Sequence, residues 1–128
     1  MREILFRGKR IDNGEWVYGD LVHSVYKLED VCVGQYGNEV GMHQVHEETV
    51  GQHTGTDKNG KKIFEGDLCL CNRNINSFVD NQVFLISFDT EYGQWVGSSR
   101  SSNIAADEFS LCEVIGNIHD NPELLEEG

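Results

Sequence analysis

Apolar and polar residues alternate over short stretches of this chain, and glycine-bearing corners separate the stretches. A period of two places successive side chains on opposite faces of a strand, so the pattern predicts β-structure. Ile4 and Phe6 alternate with Leu5 and Arg7, and Asp12-Asn13-Gly14 then precedes Glu15-Trp16-Val17-Tyr18-Gly19-Asp20-Leu21-Val22. Asn-Gly between two such runs signals a hairpin, because a type I′ turn needs positive φ at both central positions. A hairpin is predicted over residues 3–23. Val31-Cys32-Val33 and Met42-His43-Gln44-Val45 flank Gly34, Gly37-Asn38 and Gly41, which predicts a second, looser hairpin. Residues 49–54 then lead through Asp57-Lys58-Asn59-Gly60 into Lys62-Ile63-Phe64, again strand, turn and strand.

The second half reads as a small barrel. Leu68-Cys69-Leu70-Cys71 predicts a strand, and a polar loop with Asn72, Asn74, Asn76, Asp80 and Asn81 is expected after it. Gln82 to Asp89 is the longest apolar run, Gln94 to Gly97 follows a turn at Glu91-Tyr92-Gly93, and Ser110 to Gly116 supplies a last strand. Four to five short strands with tight turns predict an SH3-like barrel. Ser98 to Ser102, with Arg100 inside, reads as a mobile loop. Asn121-Pro122-Glu123 combines a polar cap, proline at the first helical position and an acid in the first turn, so residues 122–127 are predicted as a short helix. The expected fold is therefore mainly β, with an N-terminal β-hairpin region (1–48) and a C-terminal small SH3-like β-barrel ending in a short helix (49–128).

Composition supports strands, since 12 Val and 8 Ile stand against 9 Leu and 2 Ala, and β-branched residues pack well on a pleated surface. No apolar run reaches the ~20 residues of a membrane helix or resembles a signal peptide, so a soluble, cytosolic protein is expected with no membrane partner. Charge is unevenly spread: 8 basic and 10 acidic residues in 1–64 give −2, whereas 2 and 12 in 65–128 give −10. Arg2, Arg7, Lys9 and Arg10 face only Glu3 in the first ten residues, a local +3. Opposite signs at the two ends can pair copies head to tail; the plainer alternative is a charged surface that serves solubility.

Candidate chemistries are mostly unfavourable on spacing. Cys69-x-Cys71 with Cys32, Cys112, His43, His46 and His53 offers soft ligands, but the Cys pair falls in a strand rather than a knuckle, and His43 and His46 would point to opposite faces. No metal and no cofactor are expected, and the thiols read as small core residues. Gly55 to Lys62 nearly matches a phosphate-binding loop, yet Lys62 replaces the magnesium-binding hydroxyl, Asp57 repels phosphate and no helix follows. Glu65 and Asp67 could form a hydrolase carboxylate pair, although Asp in a turn more commonly accepts backbone N–H groups. Trp16, Tyr18, Tyr92 and Trp95 offer an aromatic surface for a peptide or single strand, weighed against core packing. The acidity opposes direct nucleic-acid binding, and Arg7-Gly8-Lys9-Arg10 is a small footprint. The same acidity could instead imitate a nucleic acid and occupy a host nucleic-acid-binding protein.

Phe6-Arg7-Gly8-Lys9-Arg10, Gly14 to Gly19, Glu48 to Gly55, Asp57 to Asp67 and Glu113 to Leu125, in that order, resemble the YopX family of phage and prophage proteins. The resemblance implies a product made in a bacterial host cytoplasm, a mainly β fold with a barrel-like C-terminal part, and a homo-oligomer, with a further host or phage protein partner open. It implies no reaction and carries over no catalytic residue. The chain departs from the family pattern in being one residue short between Gly55 and Asp57 and in having His53 where an aromatic is usual. The leading expectation is a non-enzymatic, self-associating β-rich scaffold that uses Arg2, Arg7, Lys9, Arg10, Trp16 and Tyr18.

Overall fold

A computed structural model of the protein describes residues 4–23, 31–35, 41–75, 78–99 and 102–127. The chain divides into two compact units, Met1–His53 and Thr54–Gly128. The fold is mainly β, as the alternation predicts, with ten strands, one 3₁₀ segment and one short helix among the described residues.

In the first unit, β1 (Phe6–Arg10), β2 (Trp16–His23), β3 (Val31–Gly34) and β4 (Met42–Thr56) pair in antiparallel succession, and β1 also pairs with β4. These pairings close a ring of hydrogen bonds. The expected hairpin is therefore part of a closed sheet, because β1 finds a second partner far along the chain. Val31, Val33 and Val45 are buried inside it, with Val17, Leu21 and Val50 packed against them. Gly8 lets β1 lie on this core, since a Cβ there would stand 2.8 Å from a Val45 methyl.

The first turn differs from the two-residue type I′ expectation. Lys9 pairs with Trp16, the Arg10 N–H donates to the Glu15 carbonyl at 2.8 Å, and the Gly14 N–H donates to the Arg10 carbonyl at 3.0 Å. The loop is thus Ile11 to Gly14, with Gly14 at φ 73° and the Asn13 side chain accepting the Glu15 N–H. A four-residue loop satisfies its amides through Asn13 and needs the glycine where the chain re-enters β2.

β4 continues through the division between the units, so segments 42–45 and 49–54 belong to one strand whose sheet also includes β5 (Lys62–Phe64). In the second unit the order is β10-β6-β7-β8-β9, formed by β6 (Asp67–Ile75), β7 (Phe78–Asp89), β8 (Gln94–Ser98), β9 (Asn103–Ala105) and β10 (Cys112–Asn117). A four-strand meander whose fifth strand returns to pair the first is the connectivity of an SH3-like barrel. The 3₁₀ segment Ala106–Leu111 links β9 to β10. The core holds Ile63, Cys69, Cys71, Phe84, Ile86, Ile104, Phe109 and Cys112. Gly97 keeps β8 thin here, because a Cβ would stand 2.8 Å from Ile104.

Two expectations are corrected and one strand is added. The polar stretch after Cys71 is not a loop: β6 and β7 run on as a ribbon, with Asn72 opposite Asn81 and Arg73 opposite Asp80. β10 pairs β6 only as far as Cys71, and β8 pairs β7 only from Leu85 onward, so among the described residues no third strand pairs with the ribbon. β9 had no sequence signal beyond Ile104, which is 2% exposed. The last strand begins at Cys112, after the 3₁₀ segment. The predicted helix is present as α1 (Glu123–Glu127), lying against β7. Arg100, the centre of the expected mobile loop, lies outside the described residues, while flanking Ser99 and Ser102 both bond the Gln82 side chain.

Candidate functional site

The outward side of the first ring gathers most of the residues expected at a self-association site. Arg7 and Lys9, two apart on β1, face Tyr18 and Trp16 on β2. The Arg7 guanidinium carbon lies 4.7 Å from the Trp16 ring centroid and Lys9 Nζ 5.9 Å from it. One indole thus organises two cations, each contact worth about 0.5–2 kcal/mol depending on desolvation. Arg7 is only 6% exposed and Tyr18 is 53% exposed. Arg7 is consequently a buried organiser of the face, and Tyr18 its accessible ring.

β4 shapes the edge of this face. Arg7 pairs with Gly51, so a regular ladder would put Lys9 opposite Thr49; it pairs with His46 instead, and three residues bulge out. The Thr49 hydroxyl accepts the Lys9 N–H at 2.9 Å and donates to the His46 carbonyl at 2.6 Å, replacing the lost ladder bonds. A bulge re-aims side chains where a strand must leave its partner. Arg10 has the opposite parity and is spent locally: Nε and Nη2 reach the Asp12 carboxylate at 2.9 and 2.6 Å. The hydrogen bond from Arg10 holds Asp12 below the usual carboxylate range. Of the six expected residues, the structure brings together Arg7, Lys9, Trp16 and Tyr18, turns Arg10 into the hairpin loop, and leaves Arg2 outside the described residues. A shallow cavity of about 300 Å³ lies between Ile11-Asp12 and Met42-His43-Gln44.

The residues that drew attention as chemistry in the second unit serve its backbone. Asp57, 5% exposed, accepts the N–H groups of Asn59 and Lys61 on Oδ1, each at 2.9 Å, and that of Val114 on Oδ2 at 3.0 Å. Burial by itself raises its pKa, but the three N–H groups, from Val114, Lys61 and Asn59, more than offset this and leave it lowered. Asp57 N–H also donates to Lys61 at 2.8 Å, the Gly60 N–H returns to the Asp57 carbonyl, and Gly60 sits at φ 80°. The near match to a phosphate loop is thus a three-residue hairpin turn whose interior is filled by its own carboxylate. Lys58 N–H and Asp57 Oδ2 together satisfy the Cys112 carbonyl and the Val114 N–H, covering the side of β10 away from β6.

Asp67, 2% exposed, accepts the Phe64 N–H at 2.8 Å, which makes it a turn acceptor between β5 and β6. Cys69 and Cys71 share one face of β6, and Cys112 lies directly opposite Cys71. All three are fully buried. Burial, aided by the charges of Asp67 and Asp57, pushes the Cys69 thiol up to about 12, and burial followed by the Cys71 contact raises Cys112. Such thiols are poor ligands and poor nucleophiles because both roles need the thiolate. Among the described residues no group of three His, Cys, Asp or Glu side chains is placed to hold a metal ion.

The segment Gly116 to Asn121 is braced likewise. Asn117 Oδ1 accepts the N–H groups of His119 and Asp120 at 3.0 and 2.9 Å, and the Ile118 N–H donates to Gly66 at 2.8 Å. Asn121, expected to cap the helix, has its Oδ1 3.3 Å from the Asn117 N–H. The structural role of Asp57 was missed from sequence; its signal was an Asp two residues before Asn-Gly, the position from which a side chain can close a turn.

Fold and site together define a small two-unit β-protein in which shared polar motifs brace turns and the first ring displays a cation–aromatic face. The chain belongs to the YopX protein family, whose model matches residues 5–126. None of the curated proteins matches it. Among the described residues no helix is long and apolar enough to cross a membrane.

Proposed function

We propose that this protein is a non-enzymatic, self-associating β-rich scaffold or interaction module, made from a phage or prophage in the cytoplasm of a bacterium. The observation that carries the reading is the Arg7, Lys9, Trp16 and Tyr18 face, where two cations lie against one indole beside a ring that is 53% exposed. In the second unit Asp57 and Asp67 accept backbone N–H groups in turns, and Cys69, Cys71 and Cys112 are buried in the core. A homo-oligomer built through this face should be seen by light scattering at micromolar concentration. Tyr18→Ala should lower the mass, and added salt should weaken association, since exposed charge pairs are screened. A monomer at both low and high salt would defeat the proposal.

A second reading draws on the second half, which holds no Lys or Arg from 74 to 99 or from 101 to 128. That acidity suits an inhibitor of a host nucleic-acid-binding protein, with no nucleic acid bound directly. Capture from a bacterial lysate that recovers no such protein counts against it.

A further inference from the structure

We infer that the end of the second unit around the β7–β8 hairpin is a docking site for an arginine-rich segment of a partner protein. The site goes beyond self-association through the first unit and does not depend on it. Phe88 and Trp95 face each other across β7 and β8, with ring centroids 5.0 Å apart and planes at 73°. Phe84 and Ile86 precede Phe88 on the same face of β7 and are buried, so the aromatic pair continues the core outward. Phe88 is nevertheless 43% exposed and Tyr92, in the hairpin loop, 73% exposed. Large apolar rings left open at the rim of an otherwise closed core mark a surface that gains by being covered.

Charge decides what covers it. Asp89 and Glu91 belong to the hairpin, and Asp89 Oδ1 accepts the Glu91 N–H at 2.9 Å, fixing the loop. β9 runs antiparallel to β8 with Ala105 opposite Val96, so the 3₁₀ segment that follows, carrying Asp107, begins level with Trp95 and packs on β8. Glu91 and Asp107 are exposed, and neither has an ion-pair partner among the described residues. No Lys or Arg occurs between residues 74 and 99 or after 100. Aromatic faces beside unneutralised carboxylates favour a guanidinium, which stacks on a ring while its edge donates to a carboxylate.

The test uses the full chain with Trp16→Phe, which leaves Trp95 as the reporting indole, titrated with octa-arginine and octa-lysine peptides. Octa-arginine should change Trp95 emission saturably and bind more tightly than octa-lysine. Combined Glu91→Gln and Asp107→Asn should weaken it at least about fivefold, and Phe88→Leu should reduce the preference for arginine. Glu47→Gln with Glu48→Gln, in the first unit, should leave binding unchanged. The proposal is overturned if no saturable change occurs, if the two double substitutions weaken binding equally, or if Glu91→Gln with Asp107→Asn lowers the mass seen by light scattering, which would make a second copy the occupant.

Discussion

Asp57→Asn is the sharpest test of how the second unit is held together. The carboxylate accepts three backbone N–H groups, two on one oxygen and one on the other. An amide keeps one acceptor atom and presents an NH₂ in place of the other. If the oxygen stays with Asn59 and Lys61, the NH₂ faces the Val114 N–H at about 3.0 Å, donor against donor; the flipped amide orphans two groups instead. An unmet buried donor costs about 1–3 kcal/mol, and the retained bonds fall from charge-assisted to neutral strength, so a total near 3 kcal/mol is expected. For a unit of this size that corresponds to a melting shift of roughly 10–20 °C.

The dependence on pH adds a second readout. The folded pKa is lowered, so the carboxylate contributes stability that is fully present above the unfolded value of about 3.9 and is lost as pH falls through the lower folded value. Thermal melts followed by circular dichroism from pH 7 to pH 2.5 should show a constant gap between wild type and Asp57→Asn down to about pH 4, then a narrowing one. Equal melting points at pH 7, or a gap that widens on acidification, would refute the reasoning.

Other expectations follow from the same contacts. Gly34→Ala places a Cβ 1.8 Å from the Gly41 carbonyl oxygen at a φ of 155°, and should cost at least about 3 kcal/mol in denaturant unfolding. Brief iodoacetamide treatment of the native protein, read by mass spectrometry, should label the half-buried Cys32 well ahead of Cys69, Cys71 and Cys112. Denaturation should equalise the four, and fast native labelling of Cys69 would contradict its burial. Trp16→Leu removes the ring shared by Arg7 and Lys9 and should destabilise the first unit by about 1–2 kcal/mol, a loss that Trp16→Phe largely avoids.

Much of the fold was legible because local pattern reports burial: the strands around Trp16, Val33, Ile63 and Val114 followed from short apolar stretches between turns, the strand around Phe84 from a continuous apolar run, and the helix after Pro122 from its cap and proline. What escaped depended on partners far away in sequence. Pairing of β1 with β4 is a match between Phe6 and Gln52 that no local pattern encodes, and the Asn-rich sequence from Asn72 to Asn81 carries no apolar alternation that would make a strand visible. The candidate face was half legible. Its cations and rings stood out as a cluster, but Arg7, placed by parity on the polar side of β1, gave no sign that it would be buried. Asp57 was read as a charge that repels phosphate, since composition does not disclose that three amides converge on it.

The strand from Met42 to Thr56 also limits how this protein can be divided. Its residues Gly51 and Gln52 complete the ring against Arg7 and Phe6, so a gene fragment stopping at residue 48 would lose half of that seam and keep only Lys9 against His46 and Arg10 against Val45. Inserting one residue between Val45 and Gly51 need not be fatal, because the bulge already absorbs three. An insertion after Gly51 would reverse inside and outside for everything downstream to Thr56. Tolerance to length change should therefore switch off abruptly along a single strand, giving the family a place where sequences can vary in length directly beside one where they cannot.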